Sequence, residues 1–196
     1  RIESQCFYGC SGLTEIEIPS QVTSIEWGTF QNCTALKSVT MYEGLTSVGA
    51  SAFSGCEALT QVTLPESVTE LGGSVFSGCK NLTTVNLPQG ITKIQNSLFY
   101  DCSSLAAITI PDSVLTIESS AFSGCSSLTA VEIPTGVSTI GSYAFSRCTS
   151  LTEMVIPEGV TKIGYGTFAN CTALKKITLP GGLTEIGEEA FENCSA

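Results

Sequence analysis

The chain has 196 residues, of which 18 are acidic and 8 are basic, and it contains no histidine. A net charge of −10 without a cluster of lysine or arginine repels nucleic acid and anionic membrane surfaces, so neither is expected as a partner. No apolar run approaches the roughly 18 residues that a membrane-spanning helix needs, so no membrane insertion is expected.

A cysteine recurs every 23 residues, and it marks the length of a repeated unit. The column comprises Cys10, Cys33, Cys56, Cys79, Cys102, Cys125, Cys148, Cys171 and Cys194. Every phenylalanine lies three residues before one of these cysteines, and all seven prolines share one position of the unit. Strict self-similarity at this period predicts a solenoid of stacked units without separate cores. We expect one domain over residues 1–196, with eight complete units at 10–193, partial units at 1–9 and 194–196, and no caps.

The first element predicted within a unit is a short strand. In residues 59–64 the aliphatic Val62 and Leu64 alternate with polar residues, which is typical of a half-buried strand. Pro65 follows at once and ends the strand, because proline has no N–H to donate to a sheet. Residues 68–71 form a second short extended piece that buries its aliphatic side chains on one side.

A turn is predicted to close each unit. Residues 72–77 are too short for an α-helix and rich in small polar residues, so we expect one helical or 3₁₀ turn. The residue before each cysteine is mostly Gly, Asn or Asp, which predicts a left-handed backbone there. Arg147 occupies that position in one unit and should carry about 1 kcal/mol of strain.

Stacking of these units defines the predicted fold class. Each strand should pair with the next at about 4.8 Å, so the apolar columns become continuous. We expect a mostly-β repeat solenoid of the α/β type. A parallel sheet should line the concave face, and short turns or 3₁₀ segments should line the convex face.

The cysteine column leaves three interpretations open. One position repeated in every unit places the thiols in a row along the solenoid axis, which favours buried free thiols that act as small hydrophobic groups. Disulfides between stacked neighbours would require a Cα separation of about 4.4 to 6.8 Å, which the unit spacing could supply. A zinc site fits poorly, because there is no histidine and a linear row does not form a tetrahedron. No cofactor is expected.

The unit resembles a known repeat family. The segment LxxVxLPxxV at 82–91, followed elsewhere by TxIGxxAFxxC, resembles the BspA-like, or treponemal-type, leucine-rich repeat over essentially the whole chain. The resemblance implies a right-handed horseshoe or flatter arc in secreted and surface proteins that are commonly described as adhesins. It implies no catalytic residue. Family members usually carry a capping segment and anchoring modules that are not recognisable in this sequence, so a surface location is an expectation from the resemblance alone.

Two columns of residues alternate outward on the main strand and form the predicted binding face. One column is Glu15, Ser38, Gln61, Thr84, Ala107, Ala130, Glu153 and Lys176; the other is Glu17, Thr40, Thr63, Asn86, Thr109, Glu132, Val155 and Thr178. Their variety contrasts with the fixed interior, and we predict that a protein ligand contacts Glu15, Glu17, Thr40, Thr63, Asn86, Thr109, Glu132 and Glu153. The alternative is that threonine is there only as a favourable exposed strand residue.

Two further groups of residues could carry contacts. Trp27, Tyr143 and Tyr165 are predicted to form an aromatic patch on the convex side, where Tyr143 and Tyr165 lie in adjacent units. The alternative is that these aromatic side chains only fill space between neighbouring residues. An acidic row after the prolines is Glu43, Glu66, Asp112 and Glu158. It is predicted to be a solvated edge, and a stripe for calcium or a cationic partner is the weaker interpretation.

The sequence favours a non-enzymatic function. Without histidine there is no Ser-His-Asp or Cys-His pair, and the glycines follow the repeat period without forming a phosphate-binding loop. The leading hypothesis is a protein-binding module of a secreted or cell-surface protein that adheres to host or neighbouring-cell proteins. The alternative is a structural spacer, or a filament that self-assembles by end-to-end stacking of repeats.

Overall fold

The computed structural model describes residues 1–196 and consists of short strands and turns without a helix. No helix is therefore present that could cross a membrane. The main strands are β1 (Glu15–Glu17), β3 (Ser38–Thr40), β5 (Gln61–Thr63), β7 (Thr84–Asn86), β11 (Glu153–Val155) and β13 (Lys176–Thr178). The second strands are β2 (Ser24–Ile25), β4 (Ser47–Val48), β6 (Glu70–Leu71), β8 (Lys93–Ile94), β9 (Thr116–Ile117), β10 (Thr139–Ile140), β12 (Lys162–Ile163) and β14 (Glu185–Ile186).

All strand pairs are parallel, and each joins residues 23 positions apart. Glu15 lies opposite Ser38 in β1–β3, and Lys162 lies opposite Glu185 in β12–β14. Every unit therefore stacks on its neighbour without a shift in register, which confirms the predicted mostly-β parallel solenoid. We number the 23-residue units from Cys10, so that unit 1 is 10–32 and unit 8 is 171–193.

The interior is one continuous core of 49 buried residues, organised around a stack of phenylalanines. Neighbouring rings lie 5.1 to 6.0 Å apart between centroids and within 16° of parallel, from Phe7 to Phe191. Each ring between Phe30 and Phe168 is completely or almost completely buried. Burial of one such side chain contributes roughly 1.5 to 3 kcal/mol, and each ring pair adds about 0.5 to 1.5 kcal/mol.

The sheet on the main strands is less continuous than the sequence predicts. Hydrogen-bonded pairs join β1 to β3, β5 to β7 and β11 to β13, and between them lies one isolated bridge, Thr109 to Glu132. The main-strand positions of units 5 and 6, residues 107–109 and 130–132, are not regular strands. Both begin with an outward alanine, a poor strand former, at Ala107 and Ala130.

The unbroken hydrogen-bond ladder is on the opposite side, in the turns that contain the phenylalanines. Three backbone N–H groups of each turn donate to carbonyls of the next unit at 2.7 to 3.0 Å, and this pattern holds at all eight interfaces. Between the first two turns, for example, Phe7 N–H donates to the carbonyl of Thr29 at 3.0 Å. We call this the turn side. None of its residues is helical, so the predicted helical or 3₁₀ turn does not form.

Two columns of left-handed residues shape the turn side. The column before each cysteine has positive φ in all nine copies, which confirms the prediction. A second column, two residues before each phenylalanine, also has positive φ, although it contains Ser51 and Tyr143 as well as glycine. This second column is hard to recognise in the sequence, because serine is its most frequent residue and is not typical of a left-handed backbone.

Arg147 is the bulky residue in the first column, and contacts of its side chain stabilise its position. Its guanidinium donates to the carboxylate of Asp101 at 2.9 Å and lies 5.4 Å from the centre of the Tyr100 ring. Asp101 is two units away, and the intervening unit has Gly124 at this position, where a Cβ atom would collide with the Asp101 carboxylate. These contacts offset the backbone strain that the sequence predicts.

A separate glycine column marks where successive units approach most closely. Gly72 and Gly141 have no positive φ, but a Cβ atom on either would collide with the backbone of the preceding unit. Glu26, Gln95 and Glu118 occupy the same position in other units, so the column does not require a left-handed backbone. Its glycines allow a close approach between units.

Replacement of Gly72 by alanine tests this close approach. We expect Gly72→Ala to lower the free energy of unfolding by about 1 to 3 kcal/mol, because the new methyl group forces adjacent units apart. The matched control is Gly182→Ala, since Gly182 has open space around its Cα and no positive φ. Urea denaturation should show the control near the parent protein, and equal stability of the two variants would refute the close contact.

Candidate functional site

The strand face, defined as the outward side chains of the main strands and of 107–109 and 130–132, carries the predicted contact residues. All eight are exposed: Glu15, Glu17, Thr40, Thr63, Asn86, Thr109, Glu132 and Glu153. Strand register places Glu17 beside Thr40, Thr63 beside Asn86, and Thr109 beside Glu132. The structure therefore arranges these residues in the two predicted columns, in neighbouring groups spread along the solenoid. Their role in binding remains a prediction.

Two predicted residues already have an internal partner: the side-chain amide of Asn86 donates to the carbonyl of Leu64 at 3.4 Å, and Glu17 is the other. Glu17 accepts a hydrogen bond of 2.7 Å from the hydroxyl of Tyr42, which stands where the other units have proline. This hydrogen bond, with the nearby negative charge, raises the pKa of Tyr42 above its ordinary value. Glu17 is consequently less available to a ligand than the other glutamates of the strand face.

Charge is distributed unevenly around the solenoid. The five ion pairs all lie away from the strand face: Arg1–Glu3, Lys80–Glu57, Lys93–Glu118, Arg147–Asp101 and Lys162–Glu185. The strand face and the edge formed by the prolines contain no lysine or arginine between residues 59–68, 82–91, 105–114, 128–137 or 151–160. Glu132, in the middle of the strand face, therefore has no cation in register on either side, whereas Glu153 lies opposite Lys176 of β13 without forming an ion pair with it.

The acidic row after the prolines is partly structural. Glu43 accepts hydrogen bonds from the backbone N–H groups of Glu66 and Ser67, both at 3.1 Å. Glu66 and Glu158 each accept one backbone N–H from the next unit in the same way. Asp112 accepts none. The prediction of a merely solvated edge missed this hydrogen bonding between units.

Two concavities open where the main-strand pairing is lost. Both are lined by Glu132, Ile133 and Thr135. The first continues over Thr109 and Asp112, and the second over Ala130, Glu153 and Val155. Val155 is 62% exposed, which makes it the most exposed large hydrophobic side chain of the protein.

The sequence prediction selected polar residues on this face and omitted Ala130 and Val155. Both lie in the same outward columns, so column position was the signal that could have identified them. The concavities themselves had no sequence signal beyond the two outward alanines, because they depend on which strand pairs form.

The predicted aromatic patch is only partly assembled. The rings of Tyr143 and Tyr165 meet edge to face with their centroids 5.2 Å apart. Gly166 makes room for the Tyr143 ring, since a Cβ atom there would overlap it. Trp27 is exposed but lies six units from Tyr165, so it does not join the pair.

The Tyr165 hydroxyl is engaged within the protein. Hydrogen bonding to Glu189, and secondarily to Tyr143, raises the pKa of Tyr165 above its ordinary value. The pair therefore offers ring surface more than free hydroxyl groups. Its use as a contact patch stays a prediction.

The cysteine column is a ladder of hydrogen bonds. All ten cysteines are free thiols, and seven of them are buried. From Cys33 to Cys194, each thiol lies 3.1 to 3.3 Å from the carbonyl oxygen of the phenylalanine in the preceding turn and donates to it. The repeat pattern favoured free thiols that act as small hydrophobic groups, and the structure adds a donor role that links adjacent units.

Burial makes the thiols poor nucleophiles. Loss of solvent, with the neighbouring thiol as a smaller influence, raises the pKa of Cys56 to about 12 and that of Cys171 to about 12. Burial also raises the pKa values of Cys79, Cys102 and Cys148 well above their ordinary value. Thiolates are thus suppressed at neutral pH. No three Cys, Asp or Glu side chains converge where they could hold a metal ion.

These pKa shifts predict that the protein unfolds at alkaline pH. Above the ordinary thiol pKa of 9.0, unfolded cysteines ionise while the buried ones stay protonated up to about pH 12. The unfolded state then binds fewer protons, so each such thiol lowers the free energy of unfolding by about 1.4 kcal/mol per pH unit. Several thiols together exceed the stability of a typical domain, and urea midpoints should fall steeply above pH 9 and change little between pH 6 and 8.

A double variant, Cys79→Ala with Cys125→Ala, distinguishes the contribution of the thiols to alkaline unfolding from that of other groups that titrate at high pH. It should be less stable than the parent at pH 7, because it loses two buried side chains and their hydrogen bonds. Its free energy of unfolding should nevertheless depend less steeply on pH between 9 and 11. An unchanged slope would show that the thiols do not cause the alkaline transition.

The same repeat is recognised by a protein-family model. The model of the BspA type leucine rich repeat region matches residues 1–114 and 92–196, with six copies of the repeat. Among curated protein sequences, none matches this chain.

Solved structures share the solenoid. A leucine-rich repeat protein of T. pallidum is 33% identical, with 93% of this chain and 77% of that chain covered and a TM-score of 0.76. One from Bacteroides ovatus is 26% identical, with 98% and 79% covered and a TM-score of 0.51. The pneumococcal vaccine antigen PcpA is 23% identical, with 89% and 47% covered and a TM-score of 0.61, which shows a common fold alone.

Proposed function

The chain belongs to the BspA-type leucine-rich-repeat family, and from this we propose that it is the protein-binding module of a secreted or cell-surface protein. Its strand face, on the inside of a right-handed arc, would adhere to proteins of a host or of neighbouring cells. Leucine-rich-repeat solenoids are protein-interaction scaffolds rather than an enzyme family.

One observation carries the proposal: the interior columns are nearly constant, whereas the two columns of the strand face vary and are exposed. Phenylalanine occupies its position in every unit, but the column that contains Glu132 also holds threonine, asparagine and valine. Exposed strand-face side chains such as Thr63 and Thr109 pair only with their neighbours in register, and their side chains make no hydrogen bond within the protein. Such a surface can change without cost to the core, which is what recognition of different partners requires.

The proposal is tested by blocking the strand face without altering its charge. We expect Thr63→Tyr with Thr109→Tyr to abolish saturable binding to immobilised extracellular-matrix proteins or to intact cells, because bulky rings then cover the middle of the face. Surface plasmon resonance or cell binding would measure the loss. Tyrosine is a favourable strand residue, so the fold should persist.

The matched control places the same change elsewhere. Thr92→Tyr with Thr161→Tyr alters two exposed threonines next to the second strands, and it should leave binding intact. Binding that survives the strand-face substitutions but is lost in the control would move the interface away from the strand face. Binding to none of the probes by the parent protein would count against adhesion.

The spacer or filament alternative is tested on the same samples. Light scattering over a concentration series should give one monomeric mass if the chain acts as a binding module. Growth into species of whole-number multiples, with binding unaffected by the strand-face substitutions, would favour end-to-end assembly instead.

A further inference from the structure

We infer that the strand face of units 5 to 7 takes an extended, basic segment of a partner protein, in which a lysine or arginine lies two positions from an apolar residue. The inference rests on the proposed function, and it specifies where on the face the partner docks and what chemistry the partner has.

Three carboxylates in this region have no ion-pair partner. Asp112, Glu132 and Glu153 surround the two concavities, and none of the three forms an ion pair or a hydrogen bond within the protein. Asp112 is the one member of its acidic row that has a concavity beside it and no backbone N–H to accept. The nearest cation in the strand-face columns is Lys176, which lies opposite Glu153 on the far side from Glu132. A basic partner would supply the missing countercharges.

Acidic and small or apolar side chains alternate on the strand face of units 6 and 7. In unit 6 the outward residues are Ala130 and Glu132, and in unit 7 they are Glu153 and Val155. Repeat register puts Ala130 beside Glu153 and Glu132 beside Val155, so small or apolar groups and carboxylates alternate in both directions. The two carboxylates are diagonal neighbours, about 7 to 8 Å apart at the backbone.

An extended peptide matches this spacing. Its side chains on one face recur every second residue, about 6.6 to 6.8 Å apart. A peptide that runs along the strands can therefore set an apolar side chain over Ala130 and a lysine over Glu132. In the next unit the order is reversed, which favours a segment in which basic and apolar residues alternate on the docking face.

Regular strand pairing is lost at the main-strand positions of units 5 and 6. Regular pairing is replaced here by the single bridge between Thr109 and Glu132, and the backbone N–H groups of Ile108 and Val131 donate no hydrogen bond within the protein. Unpaired backbone polar groups near the 62% exposed Val155 form a surface that is stabilised by a partner with both hydrogen-bonding and apolar groups. The concavities give those groups room to enter.

Labelled twelve-residue peptides provide the test. The basic probe repeats Val-Thr-Lys-Thr three times, so that valine and lysine share one face; the acidic and neutral probes replace lysine with glutamate or glutamine. Fluorescence anisotropy should show saturable binding of the basic probe at 50 mM salt and weaker binding at 500 mM salt, since exposed charges are screened. The acidic and neutral probes should bind at least five-fold more weakly.

Two double variants of the protein test where the basic probe binds. Glu132→Gln with Glu153→Gln should weaken binding of the basic probe roughly five-fold, which is the effect expected of two exposed ion pairs. The control, Glu70→Gln with Glu188→Gln, makes the same change in net charge outside the strand face and should alter binding less than two-fold. Equal weakening by both pairs would mean that the basic probe senses overall charge alone, and the inference would fail.

A charge reversal strengthens the test. Ala130→Arg should prevent binding of the basic probe and allow the acidic probe to bind, because the new cation lies between Glu132 and Glu153. A circular dichroism spectrum that matches that of the parent protein at the same temperature would show that the variant is folded, as expected for an exposed position. Retention of basic-probe binding by a folded Ala130→Arg protein would overturn the inference.

The outcomes separate the inference from the proposed function. If Thr63→Tyr with Thr109→Tyr abolishes binding of a protein partner but the glutamate substitutions do not, the strand face binds proteins by other chemistry and only the inference fails. If the tyrosine substitutions change no binding event, the strand face is not an interface and both fail.

Discussion

The turn side, with its unbroken backbone ladder around the phenylalanines, is the constraint on which the rest of the solenoid depends. Left-handed residues on both sides of each phenylalanine direct three N–H groups toward the following unit and the carbonyls of that unit back toward them. The aligned peptide dipoles therefore add along the solenoid axis, as they do in a helix and do not in a sheet. The main strands can pair intermittently because the turn side already holds the units in register.

Cysteine fits this constraint better than another small residue would. The carbonyl of Phe30 accepts the N–H of Cys33 within its own turn and the thiol of Cys56 from the next unit. A carbonyl has two acceptor sites, so both are used in the interior. Alanine would fill the space but leave one site unused, and serine would place a more strongly hydrated group in an apolar column. The thiol supplies a weak donor at little cost of burial.

The fold was predictable because its controlling residues repeat, whereas the site depends on residues that do not. Phenylalanine, proline and cysteine at fixed positions specified the parallel stacking, and Gly, Asn or Asp before cysteine specified one left-handed column. The second left-handed column, at Ser51 and Tyr143, was missed because no residue type there is distinctive. The strand breaks at Ala107 and Ala130, and with them the two concavities, depend on how neighbouring units pair, which the pattern of a single unit does not reveal.

Internal bonding also distinguishes the strand face from the rest of the surface. On the turn side and beside it, hydroxyls such as those of Ser103, Ser126 and Thr149 each donate to a carbonyl of the preceding unit, and the carboxylates of Glu43 and Glu66 accept N–H groups of the next. A change at those positions breaks a link between units. Strand-face side chains such as Thr109, Glu132 and Val155 make no such link, so they are free to vary with the surface they meet. The same physics that fixes the repeat thus leaves the strand face without links between units, which is why we propose recognition there.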